Sequence, residues 1–139
     1  MAAGWAEAVA PTPADLLTAA TAAEVSASVR GAVAAARVGM RAAVAAPAGD
    51  ALVLRGLLHE AGVEDDEMTV VPVGSGPVRI YCSHCRHTTV AVAAIGAVVP
   101  CAGCGLGLHV YYHVSRRSGH FLGFQEDAEK LPGGGGGTQ

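Results

Sequence analysis

Four cysteines fall between positions 82 and 104, as Cys82-Ser83-His84-Cys85 and Cys101-Ala102-Gly103-Cys104. Fifteen residues separate the two pairs. This C-x2-C-x15-C-x2-C spacing is that of a metal site. Each C-x-x-C wraps a tight knuckle that points both thiolates at one ion, and two neighbouring knuckles complete a tetrahedron at ~2.3 Å per Zn–S bond. Gly105, after the last cysteine, permits the positive φ such a knuckle needs. Arg86, after the first pair, sets a positive charge beside a centre whose four thiolates leave a net negative charge on Zn2+. Four protein ligands close the coordination sphere, so the expected metal, zinc, is structural rather than catalytic. A tetrahedral S4 site also suits iron, and a rubredoxin-like electron-transfer centre is the rival reading. His84 and His87 adjoin the first knuckle, but four cysteines already satisfy the ion, so both read as surface residues. Disulfides would need an oxidising compartment.

Short strands must hold the knuckles. They are expected at residues 78–81, 88–93, 108–114 and 121–124. Leu108, Val110, Tyr112 and Val114 alternate with His109, Tyr111, His113 and Ser115, which predicts one inner and one outer face. The arrangement is that of a zinc ribbon, a small antiparallel β unit of the rubredoxin-like type. On its outer face His109, Tyr111, His113, Arg116 and Arg117 form a basic, aromatic strip. Arg and Tyr are enriched at interface centres, which favours protein docking. Nucleic acid is the alternative partner. It is disfavoured because residues 1–129 contain no lysine and the first half is acidic. Ser115 and Ser118 have histidines nearby but no local acid to orient them, so no catalytic dyad is expected.

The charge divides the 139 residues into three parts. Residues 1–75 carry −5, residues 76–125 carry four arginines and no acid, and residues 126–139 carry −2. The first part reads as a small α-β-α-β unit. A helix is expected from Thr12-Pro13-Ala14-Asp15 to about Ala36, a strand over 41–46, a helix over 51–61 stopped by Gly62, and a strand over 68–73. That order implies parallel strands joined by a right-handed crossover. Two strands leave open edges, so a partner is expected to complete or cover this sheet. The third part ends in five glycines and Thr138-Gln139 and reads as a flexible tail. No stretch reaches the ~18 apolar residues of a membrane helix. Met1 to Trp5 lacks the basic region of a secretory signal. A cytoplasmic protein is therefore expected.

Taken together, Arg79-Ile80-Tyr81-Cys82-Ser83-His84-Cys85, Cys101 to Gly105, His113-Val114-Ser115-Arg116-Arg117 and Leu122-Gly123-Phe124 resemble the zinc-ribbon end of the A subunit of bacterial dimethylamine monooxygenase. The likeness covers about Arg79 to Asp127. Residues 40–73 are similar to the last βαβ unit of ferredoxin-reductase-type NAD(P)-binding domains, although Ala46-Pro47-Ala48-Gly49 departs from the usual Cys-Gly-Pro. The flavin barrel and Gly-rich pyrophosphate turn of those reductases have no counterpart, so the first part is half a Rossmann unit and no cofactor site is carried over. The resemblance implies a subunit of a multicomponent monooxygenase that demethylates a secondary amine with O2 and electrons from NADPH, yielding methylamine and formaldehyde. Haem and flavin-reductase chemistry would sit on companion subunits. This chain would have no catalytic residue of its own and one zinc at Cys82, Cys85, Cys101 and Cys104. It would dock its partners through Tyr111, His113, Ser115, Arg116 and Arg117.

Overall fold

The computed structural model describes residues 2–8 and 12–126. A short helix, α1 (Ala2–Ala8), which the sequence did not lead one to expect, comes first. The second helix, α2 (Ala22–Ala35), starts nine residues later than expected. Thr21 caps it, its hydroxyl accepting the Glu24 N–H at 3.3 Å while the Glu24 carboxylate accepts the Ala20 N–H at 3.1 Å. The signal at Thr12 is not used. Residues 12–20 are exposed throughout, and a helix there would have no partner surface for its Ala and Leu side chains.

Strand β1 (Ala42–Ala46) leads through Pro47 into α3 (Ala48–Glu60). Pro47 sets the entry, Asp50 stands in the first turn, and Gly62 closes the far end at a φ of 91°. A 3-10 turn (Asp65–Glu67) then delivers β2 (Met68–Pro72), which pairs parallel with β1 from Ala42↔Met68 to Ala46↔Pro72. Leu54, Leu57, Leu58 and Ala51 of α3 are buried. By contrast, no residue of β1 or β2 is fully buried.

The second sheet has five strands, β3 (Val78–Cys82), β4 (Thr88–Ala91), β5 (Val98–Pro100), β6 (Gly107–Val114) and β7 (Phe121–Gln125), in the order β4-β3-β7-β6-β5. It is not purely antiparallel, as expected, but mixed. The turn after β6 sends β7 back between β6 and β3, where it runs parallel to β3 from Ile80↔Phe121 to Cys82↔Gly123. Val78, Ile80, Cys82, Val99, Cys101, Leu108 and Val110 form the core. The expected alternation of β6 holds only as far as Val110, because the register with β7 shifts between Val110 and Val114. Tyr112, expected inside, is therefore 66% exposed. Tyr111, expected outside, lies half-buried against Phe124 with ring centroids 5.6 Å apart. From Thr88 to Leu108 the chain carries no charged residue, and Val90, Val92 and Ile95 there are well exposed.

The two sheets meet through α3. Three glycines make the approach possible. A Cβ on Gly49 would strike the Pro77 carbonyl, and one on Gly56 would strike the Arg117 carbonyl. One on Gly119, at a φ of +67°, would come within 2.6 Å of the Leu52 backbone. Arg116 and Arg117 reach across to Asp65 and Glu60 at 3.9 and 3.8 Å. Of the expected tail, Glu126 donates its N–H to Gly107, and residues 127–139 lie outside the described residues.

Candidate metal centre

The two knuckles are built alike. In the first, the Arg86 N–H donates to the Cys82 carbonyl at 2.9 Å and the Cys82 N–H to the His87 carbonyl at 2.9 Å. In the second, the Gly105 N–H donates to the Cys101 carbonyl at 2.9 Å and the Cys101 N–H to the Leu106 carbonyl at 2.8 Å. The residue after each pair takes the left-handed backbone, Arg86 at a φ of 65° and Gly105 at 76°. The glycine was legible in the sequence. The arginine was not, although its matching place in the repeated pattern was a signal. Thr89 of β4, also missed, accepts the Ala102 N–H at 3.0 Å and ties the second knuckle to the strand behind the first.

These backbones bring the four cysteine sulfurs within 4.8 Å of one another. Cys82 Sγ lies 3.9 Å from Cys104 Sγ, and Cys85 Sγ lies 3.6 Å from Cys101 Sγ. A tetrahedron of ~2.3 Å metal–sulfur bonds separates its sulfurs by roughly 3.8 Å. The four side chains are therefore positioned to bind one metal ion. Two backbone donors already point at sulfur, Cys85 N–H at Cys82 Sγ (3.5 Å) and Gly103 N–H at Cys101 Sγ (3.4 Å).

The thiols resist ionising together. Burial opposes the Cys101 thiolate, but the Cys104 and Gly103 N–H groups and neighbouring thiols outweigh it and hold the group at about 6. The His87 N–H favours the Cys85 thiolate, yet burial and the three other sulfurs push that group up to about 12. A bound divalent cation would overcome this resistance, since coordinated thiols are deprotonated outright. His84 and His87 are both exposed, and neither is among the clustered ligand atoms.

The docking residues expected from the sequence are not brought together as one strip. Tyr111 packs edge-on against Phe124 and at a tilt against Tyr112. Arg116 and Arg117 are 79% and 88% exposed at the side chain, Arg116 lying 3.9 Å from Asp65 of the 3-10 turn and Arg117 3.8 Å from Glu60 of α3. His113 and Ser115 instead line an open cavity with Tyr81, His120, Phe121 and Leu122. Ser115 is fixed there, its N–H donating to the His120 carbonyl at 2.9 Å and its hydroxyl accepting the Ser118 N–H at 3.2 Å.

Residues 79–124, which hold both knuckles and the turn over β7, match the family described as dimethylamine monooxygenase subunit DmmA-like, C-terminal domain. This chain resembles the DmmA subunit. The heme-dependent oxidative N-demethylase delta subunit of Ectopseudomonas mendocina (strain ymp) is 32% identical over 95 residues, covering 68% of this chain and 53% of that protein. The chain thus spans about half the length of this curated relative. No solved structure matches it. Among the described residues, no helix is long and apolar enough to cross a membrane.

Proposed function

We propose that this chain is a zinc-stabilised, non-catalytic subunit of a multicomponent amine monooxygenase of the dimethylamine type, acting in the cytoplasm. Its role there is to assemble a haem-containing component and a flavin reductase. The observation that carries this reading is the match of residues 79–124 to the DmmA-like domain, with all four clustered cysteines inside the matched segment. The relative is a delta subunit, which supports membership of a larger assembly. A four-sulfur site has no open position for substrate, which supports a structural role for the metal. The α-β-α-β part fits half of a Rossmann unit, and its two strands, none of whose residues is fully buried, suit a surface completed by a second component.

Native co-purification of the full chain, with metal analysis and mass spectrometry of the same sample, tests the reading. The expected result is one colourless zinc per chain together with a haem protein and a flavin reductase. A red chain containing iron would make it an electron carrier instead. Recovery without either partner would remove the assembly role.

A further inference from the structure

The four cysteines differ in exposure, and they differ in the same way in both knuckles. The first cysteine of each is buried, Cys82 at 0% and Cys101 at 3% exposure, and the second, Cys85 or Cys104, is partly exposed. The short sulfur contacts cross between the knuckles. The partly exposed Cys104 Sγ lies 3.9 Å from the buried Cys82 Sγ, and the partly exposed Cys85 Sγ lies 3.6 Å from the buried Cys101 Sγ. Gly103 shows how closely the knuckles press together. A Cβ there would come within 2.7 Å of the His87 Cβ and 3.1 Å of the Cys85 Sγ. An S–S bond is ~2.05 Å long, so each crossing contact has less than ~2 Å to close. Neither closure has to open a knuckle, because the bonds from the Arg86 N–H to the Cys82 carbonyl and from the Gly105 N–H to the Cys101 carbonyl each run within one of them.

We infer that the four cysteines are also a site of oxidation by hydroperoxides, in which Cys85 and Cys104 are attacked and Cys101 and Cys82 close disulfides with them across the knuckles. The inference rests on the zinc reading above in one respect, that a redox-silent ion leaves every electron to come from sulfur. The partly exposed thiolate breaks the O–O bond of the peroxide. One oxygen stays on sulfur as a sulfenic acid and the other leaves as hydroxide. The buried thiolate then attacks the sulfenic sulfur, forms the S–S bond and expels a second hydroxide. Each disulfide thus takes two electrons from sulfur and consumes one peroxide. A shell stripped of its thiolates no longer holds the ion. The exposure pattern sets the roles. Peroxide reaches the partly exposed sulfur first, and a buried sulfur already in contact captures the sulfenic acid before it is carried on to the irreversible sulfinic acid. The two bonds are nested, Cys85–Cys101 inside Cys82–Cys104, and both join one knuckle to the other, as the metal does. Oxidation therefore exchanges one cross-link for another, and the ribbon keeps its fold without metal.

The test adds hydrogen peroxide to the zinc-loaded, isotope-labelled full chain. Zinc release is read with a chromogenic chelator, the fold by amide chemical shifts and the disulfides by mass spectrometry. Trypsin cuts after Arg86, between the knuckles, so the peptides 80–86 and 87–116 stay together only where a disulfide joins them. The expected result is loss of the zinc at about two peroxides per ion, as two disulfides require. The two peptides should stay joined, with fragmentation placing Cys82 on Cys104 and Cys85 on Cys101, and the shifts of the ribbon should remain dispersed. A dithiol and zinc should then restore the starting mass and spectrum. Zinc retained in a large excess of peroxide, sulfinic or sulfonic acid in place of disulfide, a bond within a knuckle, or the opposite crossing of Cys82 with Cys101 and Cys85 with Cys104 would each overturn the inference. So would bonds between two copies or an oxidised ribbon that has unfolded. Iron in the natively purified chain would count against the zinc reading alone, because the titration is made on chain loaded with zinc.

Discussion

Each cysteine would supply a quarter of a coordination shell, and the backbone already brings sulfur pairs to 3.6 and 3.9 Å. Cys101→Ser should therefore abolish stoichiometric zinc. Because structural zinc contributes on the order of 10–16 kcal/mol of apparent binding free energy in small peptides, the ribbon should lose its dispersed amide spectrum as well. A variant with full zinc content and a native spectrum would show that three sulfurs suffice. Acid acts in the same direction, since protons compete with the metal for thiolates, and metal release should follow as pH falls. Arg86 makes a different contribution. It holds a φ of 65°, where a side chain is strained, so Arg86→Gly should keep the metal and raise thermal stability by up to about 1 kcal/mol. The cysteines were legible because thiol spacing is itself the geometric constraint. The strain at Arg86 was hidden because arginine shows no preference for left-handed backbone, and only Gly105 at the equivalent position hinted at it.

Among the elements, α3 decides how the two sheets meet. Gly56→Ala would push a methyl group into the Arg117 carbonyl and should cost about 1–3 kcal/mol in chemical denaturation of the full chain, with zinc content unchanged. An unaltered midpoint would mean that the turn after β6 gives way freely. The charges alongside are weaker but pH-sensitive. The hydrogen bond from Arg55 holds the Asp65 carboxyl below its ordinary 3.8, with burial opposing and the charges of Arg55, His59 and Arg116 assisting. A carboxyl lowered by folding stabilises the folded state above its unfolded value and loses that effect as pH falls through the folded one. Asp65→Asn should therefore flatten the acid limb of the stability profile. An unchanged limb would assign that acid sensitivity to other groups. Most elements were visible in the pattern, and the exceptions have physical causes. The start at Thr12 lost to Thr21 because no surface covers residues 12–20. Strand β5 has three residues, too few to show a period. The bulge in β6 inverts the faces beyond Val110, and no single residue announces it.

At the scale of the whole chain, the charge blocks seen in the sequence meet across one contact, Arg116 and Arg117 of the basic part facing Asp65 and Glu60 of the acidic part. The metal's influence should cross with them. Chelation of zinc is expected to speed hydrogen exchange not only in β3 to β7 but also in α3, which rests on Pro77 and on the turn at Arg117. Unchanged exchange in α3 would show that the first part folds without the second. The sequence showed two undersized parts, but not that α3 joins them, because close approach between Gly56 and a carbonyl distant in sequence leaves no local pattern.

The uncharged run from Thr88 to Leu108, with Val90, Val92 and Ile95 facing solvent, bears on the order in which a new chain matures. Until both knuckles close, this run is a β-prone segment with no charge to keep other copies away. Closing them holds β4 and β5 in place as short edges, and Pro100 blunts one of the two. On the function proposed above, metal loading then comes first and partner docking second, and the supply of metal during synthesis would bear on how many chains are fit to assemble.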